Sequence, residues 1–214
     1  RIGFLKERID EIRAPAMCRS GYVVYIPKVN ETAYVLTDIH GDLISLENIL
    51  KEIGFEENMK SAKPSMKLIC LGDMVNAGIN SLGVVLRLAQ LKTLYPQHVV
   101  LLRGNNEIVN PINDIKGFKS SSQKAMNERE SLVERFGHMK FDSFLSIELA
   151  AKYGLEHMGV VYEKLNELFE ALPTVIVTGN NIMLGHGAPV HDVKATLLDL
   201  AKSDDFAHEI LHNS

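Results

Sequence analysis

The sequence predicts an α/β fold. Short apolar, β-prone runs end abruptly in polar residues. Between them lie stretches whose apolar residues recur at helical spacing. Strands alternating with helices in this way build a sheet covered by helices.

The strand candidates come first. Thr32–Thr37 runs into Asp38, Lys67–Leu71 into Gly72-Asp73, and Val99–Arg103 into Gly104-Asn105. Being nearly all apolar, these three are expected to be buried on both faces. Thr174–Thr178 turns at Gly179-Asn180-Asn181, and Ile182–Leu184 then runs into Gly185-His186, the pattern of a hairpin. Three helices are expected between the strands. Asp42 caps one, with Leu43, Leu46, Leu50 and Ile53 along it. Asn80 or Ser81 starts a second, with Leu82, Val85, Leu86 and Ala89 on one face and Pro96 beyond its end. Val161, Leu165, Leu168 and Leu172 form a third stripe, stopped by Pro173.

The 214 residues are read as one domain, 1–214. Residues 1–29 are expected to be an N-terminal helix and lead-in. Residues 112–152 are polar, helix-prone and broken by Ser120-Ser121-Ser122. They read as a helical insertion over the sheet edge, outside the core, with a surface available to a partner protein.

Composition narrows the function. Hydrophobic residues at 46% with a net charge of -4 fit a globular chain with no general attraction to nucleic acid or acidic membranes. No apolar run approaches the ~18 residues that cross a bilayer. Cys18 and Cys70 have neither zinc-site spacing nor the density of a disulfide scaffold, and Cys70 lies inside an apolar run. A buried thiol and a reducing, cytoplasmic setting are the expectation, although the chain begins at Arg1 and secretion is left open.

The chemistry lies at the strand ends. The first supplies Asp38 and His40, the second Asp73, the third Asn105 and the fourth His186, each beside a glycine. Each is weak alone, since aspartates cap turns and lone histidines are common in loops. Together, at the ends of successive strands, they form an ordered set of hard and borderline ligands. Carboxylate, imidazole and amide oxygen suit Mn²⁺, Fe or Zn²⁺. A carboxylate shared by two ions ~3.5–4 Å apart makes a clamp for in-line phosphoryl displacement.

Asp38-Ile-His40-Gly-Asp, Gly72-Asp73-x-Val-x-x-Gly78, Arg103-Gly-Asn105-x-Glu107 and His186-Gly-x-Pro189 resemble the signatures of PPP-type serine/threonine protein phosphatases, within the calcineurin-like metallophosphoesterase superfamily. The resemblance covers about residues 30–200. It implies a metallophosphoesterase sandwich of two mixed β-sheets flanked by helices. It also implies two divalent metal ions, with Mn²⁺ first and Fe or Zn²⁺ as alternatives. Asp38 and His40 would hold one ion, Asp73 would bridge, and Asn105 and His186 would hold the other. The substrate would be a phosphoprotein or small phosphoester.

The chain departs from that pattern at three positions. Asn106 stands where the family has its catalytic histidine, Asn76 where it has that histidine's partner aspartate, and Ala77 where it has a phosphate-gripping arginine. An amide does not titrate near neutrality, and losing a general acid typically removes ~10²–10⁴-fold in rate. Downstream of His186 the family carries a further metal-binding histidine and phosphate-binding arginine. Here only His191, His208 and His212 follow, with no arginine. Part of the family fold therefore reads as missing, or the second ion as weakly bound. Three functions stay open: a metal-dependent phosphomonoesterase, a catalytically impaired relative that binds a phosphorylated ligand or partner, and a nucleotide or dinucleotide phosphohydrolase.

Overall fold

Local sequence sets the elements of the computed structural model, which describes residues 18–27, 31–107, 144–187 and 202. Strands β1 (Cys18–Ser20) and β2 (Val23–Ile26) fold back on each other through Gly21, whose φ of 54° suits a residue without a side chain. Strands β3 (Thr32–Leu36), β4 (Met66–Cys70) and β5 (Val99–Leu101) follow. Strands β6 (Val175–Thr178) and β7 (Met183–Gly185) close the described chain as a hairpin.

Helix α1 (Leu43–Glu52) begins where Asp42 accepts the Ser45 backbone N–H at 2.9 Å. Helix α2 (Phe55–Met59) follows directly, and α3 (Ser81–Leu94) begins where the Asn80 side chain accepts the Gly83 N–H at 3.2 Å. Helices α4 (Phe144–Tyr153) and α5 (Leu155–Glu170) precede β6. None of the described helices is long and apolar enough to cross a membrane.

The strands form two sheets, in the orders β1-β2-β6-β7 and β3-β4-β5. The first is mixed, because β2 and β6 run parallel while both outer pairs are antiparallel. The second is parallel throughout, with Leu68 opposite Val99 and Cys70 opposite Leu101. Alternation along its strands divides the core. Ile69 and Val100 join Val24, Ile26 and Ile176 of the mixed sheet in one apolar cluster. Leu68, Cys70, Val99 and Leu101 fall into a larger cluster with the helices. The result is a two-sheet α/β sandwich with helices against the parallel sheet.

Several expectations are corrected. Residues 18–26 form two strands inside the span read as helix and lead-in; residues 1–15 lie outside the described residues. Strand β3 is not buried on both faces. It pairs only with β4 in the described sheet, and Val35 is 43% exposed. In α3 the buried face runs through Leu82, Val85 and Leu88, and Leu86 turns outward. In α5 the buried ridge is Tyr162, Leu165 and Phe169, while Val161 and Leu168 are half-buried.

The insertion is corrected at its C-terminal end. Residues 108–143 lie outside the described residues. Residues 144–153 are α4, as helix-prone as expected, but Leu145 and Leu149 are buried in the main cluster. Glu148 of the same helix accepts the Leu82 N–H at 3.2 and 3.3 Å through its two carboxylate oxygens. This helix belongs to the core rather than lying outside it. Leu149→Ala is therefore expected to cost about 2–5 kcal/mol of stability. Denaturant unfolding would show it as a lower midpoint with the slope unchanged, whereas an unchanged midpoint would place α4 outside the cooperative core.

Candidate functional site

Parallel strands deliver their following loops to one edge of the sheet, and three of the predicted groups arrive there. Asp38 and His40 follow β3, Asp73 follows β4, and Asn105 opens a 3₁₀ turn, Asn105–Glu107, after β5. His186 follows β7, at the end of the mixed sheet. The first two loops are laced by backbone bonds: the N–H groups of Ile39 and His40 both donate to the Asp73 carbonyl at 2.9 and 2.8 Å, and Gly41 N–H donates to Met74 at 2.9 Å.

The same loops adopt unusual backbone conformations. His40, Asp73, Asn76 and Ala77 all have positive φ, at 47°, 52°, 66° and 58°. Such conformations cost of order 1 kcal/mol each outside glycine and tend to collect at functional sites. Gly72, with φ of 111°, passes so close to Gly104 that a Cβ on either would collide with the backbone of the facing loop.

One residue whose role sequence reasoning missed holds this edge together. Glu107 is fully buried. Its Oε2 accepts N–H groups of Asp73 and Gly104 at 2.8 Å each, and its Oε1 accepts those of Met74 at 2.8 Å and Val75 at 3.3 Å. Burial pushes its carboxyl up to about 7, the Asp73 charge adds to the rise, and the backbone N–H groups pull the other way. The glutamate in Arg-Gly-Asn-x-Glu was the available signal.

The structure brings all five expected ligand residues together. Asp38, His40 and Asp73 each offer a ligand atom within 4.8 Å of the others. His40 Nε2 lies 3.8 Å from Asp38 Oδ2 and 3.6 Å from Asp73 Oδ2. Its Nδ1 is 3.0 Å from the Val75 carbonyl, and an N–H there leaves Nε2 as a free acceptor. His186 Nε2 lies 3.3 Å from Asp73 Oδ1 and 3.0 Å from Asn105 Oδ1. Asp73 is 3% exposed, whereas the Asp38 side chain is 52% exposed, so the site is buried on one side and open on the other.

Asn105 makes the electrostatic point. Its inward oxygen lies 3.0 Å from His186 Nε2 and 2.9–3.0 Å from both Asp73 oxygens, and it accepts a long 3.3 Å bond from Asn106 Nδ2. Acceptors packed this closely repel unless a proton or a cation lies among them. Turning the amide over satisfies them with an N–H instead. With the oxygen inward, the donor set fits a divalent ion, around which ligands bonded at ~2.1 Å stand ~3.0–3.4 Å apart.

The three altered positions border this set. Asn106 donates to both Asp73 oxygens, from its backbone N–H to Oδ1 at 2.9 Å and from Nδ2 to Oδ2 at 2.5 Å. Asn76 Nδ2 donates to Asn106 Oδ1 at 3.2 Å, and Asn76 Oδ1 accepts the Leu145 N–H at 3.2 Å. Ala77 offers only a methyl group. His191, His208 and His212 lie outside the described residues.

Glu107→Gln keeps shape but turns an NH₂ toward two of the four backbone donors. Leaving buried N–H groups unsatisfied costs ~1–3 kcal/mol each, so a loss of about 3 kcal/mol is expected. The unfolding midpoint of the metal-free protein measures it, and a loss below about 0.5 kcal/mol would show that Glu107 does not hold the loops together.

Comparison with known proteins agrees with this geometry. The calcineurin-like phosphoesterase family matches residues 32–213. Human serine/threonine-protein phosphatase 5 is 30% identical over 175 residues, which is 82% of this chain and 28% of that protein. A serine/threonine-protein phosphatase of Caenorhabditis elegans, C23G10.1, is 24% identical over 189 residues, covering 87% of this chain and 34% of the relative. A solved serine/threonine phosphatase from Saccharomyces cerevisiae superposes with a TM-score of 0.60 at 22% identity, over 88% of this chain and 48% of its own. The chain thus spans about a third or less of these curated relatives and about half of the solved structure. By family match and fold together, it belongs to the calcineurin-like phosphoesterases, and its relatives there are PPP-type serine/threonine phosphatases.

Proposed function

We propose that this chain is a metal-dependent phosphoester hydrolase that uses two divalent ions, Mn²⁺ first among them, on a phosphoprotein or small phosphomonoester. The observation that carries the reading is the convergence of potential ligand atoms from Asp38, His40, Asp73, Asn105 and His186. Asp38 and His40 would hold one ion, Asn105 and His186 the other, with Asp73 between them. When bound, such a pair supplies an acidified water as nucleophile and charge stabilisation for the phosphoryl oxygens.

The residues of the chain then divide the remaining work. The Val75 carbonyl fixes the His40 ring so that Nε2 faces the site. Glu107 holds the Asp73 and Asn105 loops at one spacing. Asn106 can donate a hydrogen bond but cannot release a proton to a leaving oxygen. Ala77 gives no charged grip on phosphate, where a guanidinium would make bidentate bonds. The same two residues support a second reading, a relative that binds a phosphorylated ligand or partner protein without turning it over.

Elemental analysis of the metal-loaded chain separates these readings from a site without metal. Up to two ions per chain are expected, and Asp73→Ala should abolish both. Wild-type stoichiometry in that variant would overturn the assignment.

Turnover depends on the leaving group. A phenolate, with parent pKa near ~10, leaves without a proton far more readily than a serine alkoxide. Hydrolysis by the native chain should therefore favour aryl phosphates and rise steeply as leaving-group pKa falls. Asn76→Asp, Asn106→His and Ala77→Arg combined should raise phosphoserine hydrolysis by ~10²-fold or more and aryl hydrolysis less. Equal gains across a leaving-group series would show that Asn106 is not the limiting defect. Activity in neither chain would favour the binding reading.

A further inference from the structure

We propose that Asn76 is a positioning residue for the Asp73 carboxylate, acting through Asn106, and that this chain of hydrogen bonds links cation seating to α4. The proposal rests on the metal-binding reading above.

The polarity of the chain is fixed from one end. The Leu145 backbone N–H can only donate, so the Asn76 atom facing it is Oδ1, at 3.2 Å. This commits Asn76 Nδ2 to the other side, where it donates to Asn106 Oδ1 at 3.2 Å. Asn106 is then committed in turn: its Nδ2 faces Asp73 Oδ2 at 2.5 Å, while its backbone N–H covers Oδ1 at 2.9 Å. An asparagine side chain has nearly the same shape either way round, so only its partners decide which end points where. Asp73 favours an N–H on its side, and Asn76 secures that orientation from the other side by giving the Asn106 oxygen a donor to face.

The consequence falls on Asp73. Each carboxylate oxygen has two acceptor positions. Asn106 occupies one on each oxygen, which leaves one on each for the two halves of the site. Oδ1 lies 3.3 Å from His186 Nε2, and Oδ2 lies 3.6 Å from His40 Nε2. Asn106 therefore presents Asp73 with one open acceptor toward each histidine.

Asn76 is well held for this task. It is 3% exposed, and its own N–H donates to Ser81 Oγ at 3.0 Å. Helix α4 grips the same region twice, through the Leu145 N–H on Asn76 and through Glu148 on the Leu82 N–H. A shift of Asp73 on seating a cation is thus passed through two amides to the first turn of α4.

Asn76→Asp tests the chain. Aspartate keeps the shape, tolerates positive φ and still accepts the Leu145 N–H, but it cannot donate to Asn106. A purely electrostatic effect of the added charge would tighten Mn²⁺ binding. The expectation is the reverse: Mn²⁺ affinity, measured by titration calorimetry, falls ~10–100-fold. In an Asn106→Ala background the same exchange should produce no such fall. Tightening or no change with Asn106 present, or an equal fall in both backgrounds, overturns the proposal. A second measurement leaves Asn76 in place. Hydrogen exchange read by mass spectrometry should show saturating Mn²⁺ slowing the Leu145 amide in the native chain but not in Asn106→Ala; no slowing in the native chain also overturns it. If the native chain binds no Mn²⁺, the metal-binding reading falls and this proposal with it. Normal native binding with these responses missing removes the proposal alone.

Discussion

Glu107 ties together the loops on which the site depends, and it does so with one carboxylate and four backbone N–H groups. The loops after β4 and β5 would otherwise end side by side with buried, unpartnered donors pointing into one small space. A single acceptor-rich side chain satisfies both and fixes their separation. The cost appears next door. Gly72 and Gly104 must approach without Cβ atoms, and Asp73, Asn76 and Ala77 take up left-handed backbone. At Asp73 the left-handed backbone is held by the Glu107 bond to its own N–H, which helps to make a rigid site from loop residues.

That construction sets an electrostatic problem. Asp73 and Glu107 are both buried, and beside Asp73 lie Asp38, two imidazoles and the Asn105 amide. Burial and the Asp73 charge both push the Glu107 carboxyl upward, against its backbone donors. A protein can relieve crowded acceptors with protons, with cations from its own side chains, or with bound metal. At Ala77 it presents a methyl group and the nearby amides do not titrate, which leaves the two imidazoles and a bound cation to serve the acceptors. A divalent ion on Asp73 would offset the repulsion that raises Glu107 as well as the acceptor contacts around Asn105. An ion seated on Asp73 would therefore act on Glu107, and through it on the loops, as well as on its own ligands.

Much of this was legible because strand ends in a parallel sheet are punctuated. A β-prone run that stops at Gly-Asp or Gly-Asn marks both the strand and the loop that leaves its C-terminal edge, so Asp38, His40, Asp73 and Asn105 could be placed together before any geometry was known. The caps at Asp42 and Asn80 and the hairpin at 179–181 were legible for the same reason: their side chains act on neighbours within three or four residues. What failed was tertiary. Strands β1 and β2 are three and four residues long, too short for a period to show, and β2 is held by its pairing with β6 about 150 positions away in sequence. Leu86 and Leu168 fit a helical stripe that sequence spacing alone could not orient against neighbouring helices. Leu145 and Leu149 sit among polar residues, and burial comes from the α3 and α5 surfaces they meet. Glu107 was visible in a motif, but its task lies in bonds to residues more than thirty positions away.

The departures from the phosphatase pattern have a physical coherence of their own. An altered residue that merely lost its purpose would be expected to leave unsatisfied polar atoms in a half-buried site. Asn76 and Asn106 leave none: both ends of each amide are bonded, and the bonds run in one direction from a helix N–H to a carboxylate. Because amides keep their donors and acceptors at every pH, this chain holds Asp73 without a titrating group of its own. Asn106 donates to both oxygens of Asp73, while proton delivery and an arginine's grip on phosphate are missing at the positions where the family places them. Those are separable functions, one serving the metal and the other serving the leaving group. In this chain the amide bonds to Asp73 form a self-consistent set while the residues that would serve the leaving group are altered, which is why metal content and hydrolysis are separate measurements.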